Sequence, residues 1–125
     1  MPIKTIALIA HDRKKADMVA FALSNRERLM SYDLIATATT GRLLEEKCGL
    51  KVTKVLSGPL GGDAQIAALV AEGKISAVFF FVDPLEKQPH DPDIQGLLRI
   101  CNVHNVPLAT NSATALYLIS AQAID

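Results

Sequence analysis

Tryptophan is absent from the 125 residues, aromatics make up only 5% of them, and there are two cysteines. A core must therefore be built from Ala, Val, Ile and Leu, which suits a chain that is 50% hydrophobic. Cys48 and Cys101 do not make a disulfide scaffold, and Cys101 falls on an apolar helical stripe that suits a reduced interior thiol. Neither sign of charge is in excess, since 13 Lys and Arg residues meet 13 Asp and Glu. Scattered, balanced charge lacks the footprint of a nucleic-acid binder or a polybasic membrane binder. Long apolar runs are lacking too: the longest are about six residues, against roughly twenty needed to span a bilayer. Met1-Pro2-Ile3-Lys4 leads into no long apolar segment with a small-residue cleavage site, so a soluble cytoplasmic protein is expected. The mean hydropathy of +0.24 argues against disorder. The length suits a single domain over 1–125, large enough to bury roughly two-thirds of its unfolded surface without staples.

What is present is an alternation of strands and helices. Ile6 to Ala10 is a short apolar run that stops at His11-Asp12. Ala16, Val19, Ala20 and Leu23 then follow at the spacing of an amphipathic helix. Leu34 to Ala36 predicts a second strand, Arg42 to Cys48 a short helix, and Gly49 its C-terminal cap. Val52 to Leu56 predicts a third strand, Ile66, Leu69 and Val70 a helix face, and Gly73 its stop. Ala77 to Val82 is apolar on both faces, as in the interior of a parallel sheet. A proline-punctuated loop, Asp83 to Asp91, leads to a helix with Ile94, Leu97, Leu98 and Cys101 in register. Pro107 to Ala109 and Ser112 to Ile119 complete the series. Five strands, each followed by a helix, specify a three-layer α/β sandwich of Rossmann-like type with a five-stranded parallel sheet.

Polar residues collect just beyond the strands: His11 and Asp12; Thr37, Thr39 and Thr40; Ser57 to Asp63; Asp83, His90, Asp91 and Asp93; Thr110, Asn111 and Ser112. In open parallel sheets ligands bind outside the carboxyl ends of the strands, where these segments converge. The segments Thr37 to Gly41 and Ser57 to Gly62 are hydroxyl- and glycine-bearing turns leading into helices. They suit either an uncharged phosphate cradle or ordinary helix capping. Lys15, one helical turn from His11, either adds a charge to the same pocket or stands in solvent. No G-x-x-x-x-G-K-[ST] or G-x-G-x-x-G motif is present, so neither a nucleoside triphosphate nor a dinucleotide is indicated.

Asp63 follows two glycines before a helix and is either an N-cap or a general base. Asp91 suits an N-cap with Pro92 at the first helical position. Asp93 is a first-turn acid or a site carboxylate. His90 lies between two prolines, off any core face; His11 ends a buried strand; His104 sits near a helix C-terminus. His11, His90, Asp63 and Asp93 could together form a metal site, but no metal-ligand spacing supports it. Ser57 lacks a nucleophile-elbow context, and both cysteines fall inside helices. A phosphate cradle beside carboxylates and histidines suits proton chemistry on a small phosphorylated carbonyl compound. A carboxylate would remove a proton next to the carbonyl while a neutral histidine hydrogen-bonds the developing oxyanion. Isomerisation and phosphate elimination share this machinery.

The stretches ALIAHDRKK (Ala7 to Lys15), ATATTG (Ala36 to Gly41), SGPLGGD (Ser57 to Asp63), FFFVDP (Phe79 to Pro84), HDPDI (His90 to Ile94) and PLATNSATA (Pro107 to Ala115) together resemble the methylglyoxal synthase family over nearly the whole chain. The resemblance implies a lyase that converts dihydroxyacetone phosphate into methylglyoxal and inorganic phosphate without metal or cofactor. It implies that Asp63 is the catalytic acid/base, that His90 polarises the substrate oxygens and that Asp93 supports proton handling. It further implies that His11 and Lys15 bind substrate, that Thr37, Ala38, Thr39, Thr40, Ser57 and Gly58 hold the phosphate, and that Asp12 and Asp83 stand behind them. A cytoplasmic homohexamer, often inhibited by phosphate, is the family's usual form.

The family usually has glycine where this chain has Ala38. If that position needs positive φ, alanine costs about 1 kcal/mol or more; if it only lies near the phosphate, a methyl is tolerated. The position bears on substrate affinity rather than on the reaction. Two other functions fit parts of the pattern. A regulatory domain of this fold would keep the cradle without needing Asp63, His90 and Asp93 together, and a metal-dependent phosphohydrolase would carry bound metal.

Overall fold

The computed structural model describes residues 3–85, 94–120 and 124. The strands are β1 (Thr5–Ala10), β2 (Asp33–Thr37), β3 (Thr53–Val55), β4 (Ala77–Phe81) and β5 (Leu108–Ala109). The helices are α1 (Lys15–Ser24), α2 (Arg26–Leu29), α3 (Ala38–Cys48), α4 (Gly62–Ala71), α5 (Ile94–Val103) and α6 (Ser112–Ser120). Short 3₁₀ turns at Asp12–Lys14 and Gly58–Leu60 precede α1 and α4. The strands form one five-stranded sheet in the order β3-β2-β1-β4-β5, parallel throughout. The chain winds outward from β1 to β3, then crosses back to β4, so the switch of direction falls between β1 and β4.

Alternation along the strands sorts the core into two layers. Ile6, Leu8, Ala36, Phe79 and Phe81 pack against Met18, Phe21, Leu44, Ala115 and Ile119, the layer of α1, α3 and α6. Ala7, Ile9, Ile35, Val78 and Phe80 pack against Ile66, Val70, Leu97 and Cys101, the layer of α4 and α5. Few aromatics are needed because they stack: the Phe21 ring meets Phe79 and Phe81 edge-on at 5.7 and 5.6 Å. Cys101 is fully buried, and that burial pushes its thiol up to about 11. β4 is buried along its whole length between β1 and β5.

Besides the added four-residue helix α2, the elements depart from the expected ones in three places. On α1 the buried residues are Met18, Phe21 and Ala22, whereas Ala16, Ala20 and Leu23 are exposed. Both stripes are apolar, so periodicity alone does not tell which meets the sheet. On α5 Leu97 and Cys101 are buried but Leu98 is exposed. Finally, α3 begins at Ala38 rather than Arg42, one full turn earlier. The polar run Thr39-Thr40-Gly41 is thus the helix's first turn and not a loop before it.

The C-terminal end of α3 is held. Gly49 takes a left-handed φ of 65° at its C-terminus, and the Arg26 guanidinium donates to the Cys48 and Gly49 carbonyls at 2.7 and 3.3 Å. Lys54 pairs with Glu45 from the neighbouring strand.

Candidate active site

Burial first singles out the site. Five polar or charged residues are buried among the described residues: His11, Asn25, Thr37, Thr40 and Asp83. Asn25 is accounted for locally, since its Nδ2 donates to the Phe21 carbonyl at 2.9 Å. The other four all lie at the carboxyl ends of β1, β2 and β4, around the point where the sheet changes direction. Three of them carry a buried side-chain atom without a hydrogen-bond partner among the described residues: His11 Nε2, Thr40 Oγ1 and Asp83 Oδ2. Proteins rarely leave such groups unpaired unless a ligand or water completes them.

The capping explanation fails for the two hydroxyl-bearing turns. Thr37 is the N-cap residue of α3, with extended backbone, yet its side chain makes no capping hydrogen bond. Ser57 occupies the same position before the turn at Gly58–Leu60 and likewise does not cap. The first N–H groups of α3 have no partner within the helix, and no acidic residue stands in its first turn. Helix dipole, main-chain donors and the Thr37 and Thr40 hydroxyls therefore favour an anion. Ala38 opens the helix with φ that is not positive; among the described residues only Asn105 combines positive φ with a side chain. The methyl group of Ala38 thus carries no backbone strain.

Asp63 is positioned by the tight fold of the preceding loop. The Ser57 carbonyl accepts from Leu60 N at 3.0 Å and Gly62 N at 2.9 Å, and Gly61 takes a φ of +102°. Gly61 is the N-cap of α4 and Asp63 its second residue, so Asp63 is not the cap. Gln65 ties the same loop down by accepting from Leu56 N at 2.8 Å. No sequence signal beyond an ordinary helical glutamine marks that role. By strand alternation His11 and Thr37 face the α4–α5 layer, the layer that α4 opens with Gly62-Asp63.

Lys15 reaches back over the end of β1, where its Nζ donates to the Ala10 carbonyl at 3.2 Å and to Asp12 Oδ1 at 2.7 Å. Its hydrogen bond, and then its charge, hold the Asp12 carboxyl below the usual value of 3.8. Asp83 Oδ1 accepts from Leu85 N at 3.0 Å, and Arg13 Nε stands 4.0 Å from Oδ2. The Asp83 main-chain N–H donates to His11 Nδ1 at 2.9 Å. His11 is therefore only half satisfied as a structural residue, its other nitrogen unpaired. Thr39 is exposed, and Ser57 and Gly58 are partly so. His90, Asp91 and Asp93 lie outside the described residues. Among the described residues no group of three or more His, Cys, Asp or Glu is placed to hold a metal ion. None of their helices is long and apolar enough to cross a membrane.

Fold and site together define an open parallel α/β protein whose buried polar groups, unpaired among the described residues, gather around its topological switch point. Residues 17–110 match the MGS-like domain. A methylglyoxal synthase of Thermus thermophilus is 58% identical over 118 residues, covering 94% of this chain and 94% of the relative. One from Clostridium botulinum is 55% identical over 114 residues, 91% of this chain and 96% of the relative. The crystal structure of methylglyoxal synthase from Elizabethkingia anophelis superposes with a TM-score of 0.91 at 49% identity, covering 94% of this chain and 78% of that one. The chain belongs to the methylglyoxal synthase family, a family of enzymes.

Proposed function

We propose that the chain, as one domain over 1–125, is a carbon–oxygen lyase that converts dihydroxyacetone phosphate into methylglyoxal and inorganic phosphate. The observation that carries this reading is the unpaired Thr40 hydroxyl, buried in the first turn of an 11-residue helix whose N-cap Thr37 does not cap. Such a cradle suits a phosphate group. In the next loop toward the middle of the same pole, His11 offers a nitrogen without a partner, and α4 presents a carboxylate in its first turn.

The phosphate rests on the α3 N-terminus with Thr37, Ala38, Thr39, Thr40, Ser57 and Gly58 around it, and Lys15 adds positive charge. Asp63 removes a proton from the hydroxymethyl carbon, and the electron pair becomes the enediolate. The enediol hydroxyl then gives up its proton as its electrons form an aldehyde. The double bond shifts toward the phosphate-bearing carbon, whose bond to the phosphate oxygen breaks. The enolate of methylglyoxal that remains takes a proton on its methylene carbon, and the departing phosphate takes up the hydroxyl proton. His90 polarises the substrate oxygens and Asp93 assists proton handling, as the family resemblance implies. His11 binds substrate, while Asp12 and Asp83 support their neighbours. No metal or cofactor takes part in these steps.

A cytoplasmic homohexamer inhibited by phosphate belongs to the same reading. Exposed apolar surface supports self-association: Leu23 on α1 and Leu116 and Tyr117 on α6 are 52%, 46% and 78% exposed, and an α1 helix apolar on both stripes suits burial on both. The product phosphate fits the same cradle as the substrate's phosphate, which makes it a natural competitor.

The test is to mix purified protein with dihydroxyacetone phosphate and excess chelator, and to assay methylglyoxal and phosphate together. Equal, enzyme-dependent release of both is expected. Phosphate released with dihydroxyacetone would make the protein a phosphatase. No turnover, with phosphate ester still bound by calorimetry, would make it a regulatory module.

A further inference from the structure

His11 stands at the carboxyl end of β1, and two hydrogen bonds grip it to the strand across the switch point. Its own main-chain N–H donates to the Phe81 carbonyl at 3.1 Å, and the Asp83 N–H donates to its Nδ1 at 2.9 Å. A ring nitrogen that accepts a hydrogen bond carries no proton, so the neutral imidazole bears its proton on Nε2. The ring's tilt is set as well, by an edge-on contact with Phe80 at 5.2 Å and 82°. Nε2 is therefore a donor held in a fixed direction, and it is buried without a partner among the described residues. It lies on the face of the sheet shared with Thr37 and the start of α4, one strand removed from the cradle.

We infer that the Asp83 main chain locks His11 as the Nε2–H tautomer, and that this ring donates a hydrogen bond to the carbonyl-derived oxygen of the substrate without passing a proton. The second half rests on the lyase reading above. Giving up the Nε2 proton would leave an imidazolate, so the bond strengthens as charge develops on the oxygen while the proton stays on the ring. An enediolate stabilised in this way is not protonated by its own donor: its oxygen stays an anion, while the enediol hydroxyl on the adjacent carbon supplies the electrons that expel phosphate. The phosphate end already has α3; His11, on the neighbouring strand, is placed for the other end of a small molecule.

The measurement is a nitrogen–proton correlation spectrum of protein labelled with ¹⁵N-histidine. Three histidines, His11, His90 and His104, give few signals, and the loss of one set in His11→Gln assigns His11. The expected result is an unprotonated Nδ1 and a protonated Nε2. Adding 2-phosphoglycolate, whose carboxylate resembles the planar enediolate, should move the Nε2 proton downfield; inorganic phosphate should not. An Nδ1–H tautomer, an imidazolium in the complex, or an equal response to inorganic phosphate would overturn the inference. In turnover, His11→Gln keeps an amide donor near Nε2 and should lose far less kcat than His11→Leu, which should fall about 10²–10³-fold with little change in KM. Equal losses in the two variants would make His11 structural. The spectra need no turnover. A protein with locked tautomer and the 2-phosphoglycolate response that makes no methylglyoxal refutes the lyase reading alone, whereas a working lyase with an Nδ1–H ring refutes the lock alone.

Discussion

A Cβ on Gly62 would lie 1.8 Å from the carbonyl oxygen of Leu56. Backbone meets backbone there, so no side-chain adjustment relieves the contact. This closeness lets α4 start directly beneath the Ser57 loop, and Gly62→Ala should force the two apart. The expected outcome is a protein destabilised by about 1–3 kcal/mol, as for other overpacked sites, with methylglyoxal formation reduced more than phosphate binding. Urea unfolding and turnover of the purified variant check it; normal values for both would mean that the loop moves aside at no cost.

The same glycine illustrates what was legible in the sequence. The pair Gly61-Gly62 announces a tight turn, but only the structure separates the left-handed Gly61 from the crowded Gly62. The parallel sheet and its two covering layers follow from the alternation of apolar runs and helical stripes, whereas the strand order comes from the structure. The start of α3 was not legible, since Thr and Gly have weak helix propensity and the tertiary fit of Thr40 and Leu44 overrides it. Nor was the buried stripe of α1, where two apolar faces compete. The hydroxyl-bearing run from Thr37 to Gly41, the proposed cradle, is visible in the sequence, whereas the Asp83 main-chain bond to His11 spans 72 positions and involves no side-chain type at all at its donor end.

Ala38 is the first residue of α3, with ordinary backbone. Ala38→Gly therefore relieves no strain and removes some helix propensity, at a cost of up to about 1 kcal/mol. KM for dihydroxyacetone phosphate should stay within about twofold, a factor worth roughly 0.4 kcal/mol. A tenfold fall in KM would show instead that the methyl group crowds the phosphate.

Asp12, which is exposed, and the half-buried Lys15 form a pair at 2.7 Å that engages the cation proposed above for the phosphate. The folded-state carboxyl is held below its ordinary 3.8, so the pair's stabilisation is present above that value and is lost as pH falls through the lower, folded one. Asp12→Asn should therefore differ from the parent in urea midpoint at neutral pH but not in strong acid, and the difference should be small because solvent screens the pair. Freed from Asp12, Lys15 should bind inorganic phosphate a few-fold more tightly at low salt, with the gain shrinking as salt is added. Calorimetry at two salt concentrations reads this directly; unchanged affinity would place Lys15 outside the anion's reach.

Asp63 occupies the second position of α4, behind a Gly61 cap. A carboxylate there is favoured by the helix dipole by about 0.3–1 kcal/mol, so it has a modest structural value whatever its chemistry. Asp63→Asn separates the two roles. Asparagine keeps the size and the hydrogen-bonding oxygen but accepts no proton, and as a general base it is useless. If Asp63 takes the substrate proton, kcat should fall about 10²–10⁴-fold while 2-phosphoglycolate still binds and the unfolding midpoint moves little. Asp63→Glu restores the charge on a longer stem and should recover part of that loss, since the base is present but displaced. A helix-terminal charge alone would cost Asn only that dipole contribution, seen as a small fall in unfolding midpoint, and would leave turnover within a few-fold in both variants. The size of the Asn loss in turnover, set against its unfolding midpoint, therefore decides between base and helix-terminal charge.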